Sequence, residues 1–195
     1  MTIKHQITKA IYPFIMWVRG LKSNNAKIKI NETNKQPVTS LYNLSAALNN
    51  SETLFMSGLK GKKILLVNTA SDCGFTGQYA ELEKLHQLHK GKLMILGFPA
   101  NDFKEQEAGN DTDIAAFCAL NYGVTFSIMK KTSVVKNTVQ NDVFKWLTDA
   151  GKNGWNDQQP IWNFCKYLVD EQGILTHYFE PSVSPLSKEV LNAIG

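Results

Sequence analysis

A short apolar run, followed at once by a polar turn and a helical pattern, constrains the fold of this chain more than any other feature. Residues Ile64 to Val67 are all apolar, with a β-branched residue at each end, which indicates a buried parallel strand. From Gly77 to His89, leucines recur at helical spacing and predict a helix. The apolar run from Leu93 to Pro99 predicts a second strand, which Pro99 ends. Strand, helix and strand in this order favour an α/β fold.

The turn after the first strand carries a single cysteine, Cys73. We expect its sulfur to face the unpaired N–H groups and the positive dipole end of the following helix. That setting favours the thiolate, which is the nucleophilic form of cysteine. Thr76 stands three residues later, so this turn is not the Cys-x-x-Cys pair of a disulfide exchanger. A lone activated sulfur suits attack on an electrophile such as a peroxide oxygen.

Composition excludes several other classes of protein. A length of 195 residues fits one domain, and 43% hydrophobic with 19% charged residues is ordinary for a globular chain. The net charge of +4 comes from scattered basic residues, so we expect no nucleic-acid partner. Three cysteines without regular spacing argue against a disulfide-stapled secreted scaffold and for redox-active or buried thiols. A cytoplasmic location is the expectation.

Residues 1–38 are interpreted as a basic and apolar arm followed by a linker. The apolar stretch from Ala10 to Val18 is too short to cross a bilayer, which takes about 20 residues. No small-x-small cleavage site follows it, which argues against a secretory signal. Two interpretations stay open for residues 3–22: an amphipathic helix resting weakly on a membrane surface, or a helix packed on its own domain or a mobile arm. A short strand at residues 28–30 is a further option within the linker.

The rest of the chain continues the alternation of helices and strands. The patterns predict a helix capped by Asp111 and ending near Leu120, a strand from Thr125 to Met129, a helix from Val143 to Ala150, a hairpin of strands from Trp162 to Val169 and from Ile174 to Phe179, and a last helix from about Ser184. This order predicts a thioredoxin-like three-layer α/β/α sandwich with a mixed central sheet.

Four blocks of the sequence resemble the glutathione peroxidase family. They run from Val67 to Tyr79, from Gly97 to Glu107, from Phe117 to Phe126 and from Trp162 to Phe164. The resemblance extends from about Leu41 to the C-terminus, and it implies a glutathione peroxidase-like domain over residues 39–195. It also implies a peroxidase, an oxidoreductase that reduces hydrogen peroxide and organic hydroperoxides in the response to oxidative stress. No metal or organic cofactor is implied.

The resemblance places the reactive cysteine of the family on Cys73 and its three partners on Gln106, Trp162 and Asn163. An indole N–H is a donor only, and each amide offers two donor hydrogens. None of the three is a strong base, so we expect them to donate hydrogen bonds to the thiolate and to developing oxyanion charge. Without the resemblance, Trp162 would be interpreted as a core residue, Gln106 as a solvated loop residue and Asn163 as a turn or strand-edge residue.

Two further cysteines leave alternatives open. The sequence alone favours a buried structural thiol for Cys118. In thioredoxin-dependent members of the family, however, a second cysteine in this context resolves the sulfenic acid, so the resemblance implies a disulfide between Cys118 and Cys73. That bond requires local unwinding, because the two Cα atoms must come within about 7 Å. Cys165 shares the predicted strand face of Asn163; a buried thiol is favoured for it, and a redox role stays open.

The chain departs from the family pattern at several positions. Ala100 stands where many members have a cysteine, so one accessory thiol is missing. Lys104 stands where glycine is usual, which predicts a different shape for the loop that delivers Gln106. The connection from Ala150 to Trp162 is short, as in monomeric members. Arg19 is the only arginine, so no arginine cluster can clasp glutathione carboxylates, and thioredoxin is favoured over glutathione as reductant.

Two other functions are compatible with parts of the same sequence. A peroxide sensor or redox relay would use the same chemistry at Cys73 and pass the disulfide to a partner protein. An inert binding module tethered by the basic arm would need neither Cys73 nor the polar residues that the resemblance assigns to it. The full set Cys73, Gln106, Trp162 and Asn163 favours the peroxidase.

Overall fold

A computed structural model describes residues 27–195. The predicted arm helix and its membrane contact, at residues 3–22, lie outside this range. The strands are β1 (Ile28–Ile30), β2 (Ser45–Ala47), β3 (Thr53–Phe55), β4 (Lys63–Thr69), β5 (Leu93–Pro99), β6 (Ser127–Ile128), β7 (Lys166–Val169) and β8 (Leu175–Phe179). The α-helices are α1 (Gln78–Leu88), α2 (Asp111–Tyr122), α3 (Asp142–Leu147), α4 (Ala150–Asn153) and α5 (Lys188–Ile194), and two 3-10 helices lie at Leu41–Asn43 and Met56–Leu59. None of the helices between residues 27 and 195 combines the length and apolar character that a membrane span requires.

Six strands form one mixed sheet in the order β1-β8-β7-β4-β5-β6. Strand β4 pairs in parallel with β5 along its whole length, and β6 continues the parallel side. On the other side of β4, strands β7, β8 and β1 are antiparallel to their neighbours. Residues 28–30 form strand β1, which pairs with β8 at the edge of the sheet. The strand that the sequence offered as an option within the linker is therefore present.

Successive residues of β4 face two different apolar layers, as a strand buried on both faces requires. Ile64 and Leu66 pack in the cluster that contains α3, whereas Leu65 and Val67 pack in the cluster that contains α1, α2 and α5. All four side chains are fully buried. The molecule therefore has the predicted thioredoxin-like α/β/α arrangement with a mixed central sheet.

Several predicted boundaries were wrong. Helix α2 is capped by Asn110 rather than Asp111, because the Asn110 side chain accepts from the Asp113 N–H while the Asp113 carboxylate accepts from the Asn110 N–H. Strand β7 begins at Lys166 rather than at Trp162, and the residues before it form a turn. Phe164 takes a left-handed φ of 67° in that turn, which no strand pattern in the sequence could reveal.

The segment just before the first 3-10 helix is packed against α4. The N–H groups of Val38 and Thr39 both donate to the Lys152 carbonyl, at 2.8 and 3.1 Å. Gly154 ends α4 in the left-handed region at φ 97°, and a Cβ added there would overlap the Gln36 carbonyl oxygen. Glycine at position 154 therefore allows residues 36–39 to lie close to the helix.

We expect Gly154→Ala to lower the free energy of unfolding by about 2–4 kcal/mol, because it adds a backbone overlap to left-handed strain. Gly123→Ala is the matched control: Gly123 also has a positive φ, 60°, but its added Cβ would meet open space. Its expected loss is about 1 kcal/mol. Urea denaturation of both variants measures the difference. Equal losses would contradict the close packing of Gln36 on Gly154.

Candidate active site

Three segments of the chain meet at one end of the central sheet. Cys73 lies in the turn after β4, and Gln106 lies in the loop after the neighbouring parallel strand β5. Trp162 and Asn163 lie just before β7, which runs antiparallel to β4 and so begins where β4 ends. The structure thus brings all four predicted site residues to the carboxyl ends of the parallel strands, where open α/β sheets place their ligands.

The turn that carries Cys73 is closed by the Thr76 hydroxyl. The Cys73 N–H donates to Thr76 Oγ1 at 3.0 Å, and this hydroxyl donates to the Ala70 carbonyl at 3.0 Å. The Phe75 N–H then points at the Cys73 sulfur, at 3.4 Å. From the sequence, Thr76 served only to exclude a Cys-x-x-Cys pair, and its structural role was missed. The signal for its role is a hydroxyl residue three positions after a turn residue.

The pKa of the Cys73 thiol is raised, whereas the sequence predicted a setting that favours the thiolate. Helix α1 begins at Gln78, and the N–H that reaches the sulfur belongs to Phe75 in the preceding turn. Cys73 is only 6% exposed, and this burial raises the pKa of its thiol above the ordinary value. Hydrogen bonds from the Phe75 N–H and from the side chains of Trp162 and Asn163 lower the pKa again, but only in part. The resting site therefore holds a thiol together with the donors that its thiolate needs.

Asn163 links the cysteine to the loop that carries Gln106. Its Nδ2 donates to Gln106 Oε1 at 3.0 Å, and the Gln106 carbonyl accepts from the Asp72 N–H at 3.0 Å. Asn163 is fully buried, and its Oδ1 has no hydrogen-bond partner among residues 27–195. A buried, unpartnered acceptor is costly, so its presence beside the sulfur indicates a place where a ligand donor binds.

Asn68, the penultimate residue of β4, holds the turn of Trp162 in place. Its Nδ2 donates to the Trp162 carbonyl at 3.0 Å, and its Oδ1 accepts from the Cys165 N–H at 3.0 Å. The Phe164 N–H donates to the Asn68 carbonyl at 2.6 Å. Asn68 is fully buried, and sequence reasoning missed it. The available signal was an amide side chain near the end of an otherwise apolar strand.

The loop before Gln106 forms an aromatic and charged rim over the site. The Phe103 ring lies 5.6 Å from the Trp162 ring, centroid to centroid, and Lys104 Nζ lies 5.8 Å from the Trp162 centroid. Lys104 and Glu105 both adopt left-handed φ angles, 51° and 53°. Lysine therefore occupies a conformation that glycine adopts more easily, and Gln106 still reaches Asn163.

A buried carboxyl group, that of Glu107, lies next to the loop residue Gln106 and contacts the turn that carries Cys73. Glu107 is 1% exposed, and its carboxylate accepts a hydrogen bond from Ser71 Oγ at 3.1 Å. Its backbone N–H donates to Asn101 Oδ1 at 2.9 Å. Burial raises the pKa of Glu107 to about 7. It lines a cleft of about 280 Å³ that runs from Asp72 and Gln106 to helix α2. Sequence reasoning missed Glu107, because a carboxylate in a polar loop normally faces solvent.

The other two cysteines lie in different layers. Cys118 is 2% exposed and belongs to the same apolar cluster as Cys73, on the α1 and α2 side of the sheet. Burial raises the pKa of the Cys118 thiol to about 11, and both thiols are free. Cys165 is fully buried in the opposite cluster, with its sulfur 3.3 Å from Tyr178 Oη. The predicted strand face shared by Cys165 and Asn163 was wrong, because Asn163 lies in a turn.

Comparisons with known proteins point to one family. The family model described as glutathione peroxidase matches residues 41–148, more than half of the chain. The chain is 42% identical to a glutathione peroxidase of Lactococcus lactis subsp. cremoris, over 76% of this chain and 94% of that protein. It is 44% identical to glutathione peroxidase-like peroxiredoxin 2 of Saccharomyces cerevisiae, over 76% of this chain and 92% of that protein. The crystal structure of Trgpx in apo form superposes with a TM-score of 0.61 at 30% identity, covering 80% of this chain and 96% of that one.

We expect alkylation of Cys73 by iodoacetamide to accelerate with pH up to and beyond pH 9, because only the thiolate reacts and burial raises its pKa. Trp162→Phe removes one donor to the sulfur and should raise the pKa of Cys73 further, so that alkylation at pH 8 becomes slower. Trp155→Phe is the matched control, since the Trp155 indole donates to the Leu175 carbonyl instead. Mass spectrometry of the Cys73 peptide follows the rate. A plateau below pH 8 in the wild type would contradict the raised pKa.

Glu107→Gln should change how stability depends on pH. In the unfolded chain the carboxyl ionises near its ordinary pKa of 4.5, and in the folded protein near 7. The folded state therefore binds the proton more tightly, so stability from this group is fully present below about pH 4.5 and is lost as pH rises through 7. The wild type should therefore lose about 2–3 kcal/mol of unfolding free energy between pH 5 and 8 that the Glu107→Gln variant does not lose. Glu105→Gln, an exposed neighbour, should follow the wild type in urea titrations, and an identical curve for Glu107→Gln would refute the assignment.

Proposed function

The chain belongs to the glutathione peroxidase family, and we propose that it is a thiol peroxidase in which the Cys73 sulfur reduces hydrogen peroxide and organic hydroperoxides. One observation carries this proposal: Trp162 and Asn163 lie beside the buried Cys73, where hydrogen bonding from their side chains lowers the pKa of its thiol, and Asn163 Nδ2 donates to Gln106 Oε1 at 3.0 Å. Donors aimed at one sulfur stabilise negative charge at a place that water reaches poorly. A role in the response to oxidative stress follows from such an activity.

The chemical step needs the Cys73 thiolate. The thiol loses its proton as the hydroperoxide binds, and the sulfur attacks the terminal peroxide oxygen. The sulfur–oxygen bond forms while the oxygen–oxygen bond breaks, and the departing oxygen takes up the proton that the thiol released and leaves as water or an alcohol. The sulfur, oxidised by two electrons, becomes a sulfenic acid. Trp162 and Asn163 support both the thiolate and this change by hydrogen bonding.

Asn163 also offers an acceptor to the substrate. Its buried Oδ1 lacks a partner among the described residues, while its Nδ2 is held by Gln106. A hydroperoxide O–H is a donor of the kind that this oxygen requires. We therefore assign Gln106 the role of orienting Asn163, and Asn163 the role of orienting the peroxide against the sulfur.

We further propose that Cys118 resolves the oxidised Cys73. The Cys118 sulfur attacks the sulfenic acid, a disulfide forms, and the sulfenic oxygen leaves as water. Support comes from the position of both thiols in one apolar cluster on the same side of the sheet. The burial of Cys118, whose pKa is about 11, means that α2 must open before this step. An external dithiol then reduces the disulfide.

The reductant that we propose is a thioredoxin-type protein, with glutathione as the alternative. The single arginine of the chain, Arg19, supports this choice, because glutathione carboxylates lack an arginine cluster to bind. We also propose a monomer, supported by the short connection from Ala150 to Trp162. Cytoplasmic location is supported by three free thiols, and contact of residues 3–22 with a membrane surface by their basic and apolar sequence.

Assays of peroxide-dependent reductant consumption test this scheme, with thioredoxin and glutathione as parallel donors. Cys73→Ser should abolish consumption with both donors, and activity in this variant would overturn the proposed function. Cys118→Ser should still form one sulfenic acid per chain, detectable as a dimedone adduct, but should stop thioredoxin-supported cycling. Cys165→Ser is the control, because this thiol lies in the other layer and should leave the cycle unchanged. Unaltered thioredoxin cycling in Cys118→Ser would remove the resolving assignment.

A further inference from the structure

Lys104 places a positive charge one aromatic ring away from the reactive sulfur. Its Nζ lies 5.8 Å from the centroid of the Trp162 ring, and the Trp162 side chain donates a hydrogen bond to Cys73. A cation within about 6 Å of an indole centroid is held by the electron-rich ring face. The ammonium group is therefore kept beside the Trp162 ring although the Lys104 side chain is exposed.

The backbone adopts a strained conformation to hold this lysine. Lys104 and the next residue, Glu105, have φ angles of 51° and 53°, in the region that favours glycine. Two consecutive non-glycine residues in this region are uncommon, and such strain concentrates at functional sites. Glycine at position 104 would adopt this φ with less strain. The presence of lysine is therefore explained by its side chain and not by the backbone conformation.

Apolar residues neighbour the Trp162 ring over which the ammonium group lies. Phe103 packs against Trp162 at 5.6 Å, and the neighbouring Ile161 is 49% exposed. An exposed apolar rim beside a single cation is complementary to a molecule that combines a hydrocarbon chain with one negative charge. A hydroperoxide of a fatty acid, with its carboxylate free, has that chemistry.

The charges around Lys104 favour the same orientation of such a molecule. Asp102 uses its two carboxylate oxygens on Ser133 Oγ, at 2.8 Å, and on the Val134 N–H, at 2.7 Å. Within residues 27–195, no carboxylate forms an ion pair with Lys104. Asp72 and Glu105 instead line the cleft beyond Gln106. A substrate carboxylate would be repelled from that cleft and attracted to Lys104.

We propose that Lys104 is a specificity-determining residue that selects hydroperoxides bearing a carboxylate over uncharged ones, an inference that rests on the proposed peroxidase function. The ammonium group binds the carboxylate while Phe103, Ile161 and Trp162 contact the chain. The carboxylate takes no part in the reaction, and the peroxide is reduced at Cys73 as described above.

The test compares kcat/KM for linoleic acid hydroperoxide and for its methyl ester, both presented in the same nonionic detergent. The ratio of the two constants within one variant cancels any change in the reactivity of Cys73. We expect Lys104→Gln to lower this ratio about two- to fivefold, as for a charge pair at an exposed site. Added salt should lower the wild-type ratio towards that of the variant.

Three further variants sharpen the test. Lys104→Arg keeps the charge, so the ratio of kcat/KM for the acid to that for the ester should stay at the wild-type value. Lys104→Gly removes the charge in a backbone conformation that glycine favours, so this ratio should fall as it does in Lys104→Gln. Lys60→Gln is the matched control, because Lys60 Nζ also lies over an aromatic ring, 5.6 Å from the centroid of Tyr42, away from the Cys73 site. A ratio unchanged in Lys104→Gln and Lys104→Gly, or lowered equally in Lys60→Gln, would overturn the inference while leaving the peroxidase function intact. Failure of the wild type to reduce either hydroperoxide or hydrogen peroxide would instead overturn both.

Discussion

Desolvation of the Cys73 sulfur determines which other groups the site needs. Cys73 is 6% exposed, so its sulfur ionises only where the fold supplies the hydrogen bonds that water would otherwise give. One of these donors is local, the Phe75 N–H, and two come from the turn before β7. That turn lies beside Cys73 because β7 runs antiparallel to β4, and Asn68 joins the two elements. The sheet topology is therefore what makes thiolate chemistry available at this position.

The sequence predicted those features that depend on local pattern. The apolar run of β4 is buried on both faces, and the βαβ order and mixed sheet are present as expected. Features that depend on distant contacts were not predictable in this way. The turn at residues 162–164 has the composition of a strand, and the left-handed φ of Phe164 arises where its N–H meets the Asn68 carbonyl. The sign of the Cys73 pKa shift likewise depends on burial by the whole fold, which the adjacent helix pattern does not report.

The central sheet also separates the three cysteines by layer. Cys73 and Cys118 share the cluster packed under α1 and α2, whereas Cys165 packs on the other face against Tyr178. A disulfide between Cys73 and Cys165 would have to cross the layer formed by the strands, which would disrupt the sheet. Cys118 needs only the movement of a helix that lies on the surface of the molecule. This difference in cost, rather than the intrinsic reactivity of either thiol, favours Cys118 as the partner of Cys73.

The movement that Cys118 requires can begin at the C-terminal end of α2. The Cys118 carbonyl accepts from the Val124 N–H at 3.3 Å, so it takes part in the hydrogen bonds that close the last turn. Gly123 ends the helix in a left-handed conformation and Leu120 is 86% exposed, so opening this turn has to break chiefly the contacts of Tyr122 with the Tyr79 and Phe117 rings. The N-terminal end is held more firmly by the reciprocal capping of Asn110 and Asp113. Fraying from Gly123 back to Cys118 would therefore release the thiol that we propose as the resolving one, while the capped end of the helix, next to the Gln106 loop, stays in place.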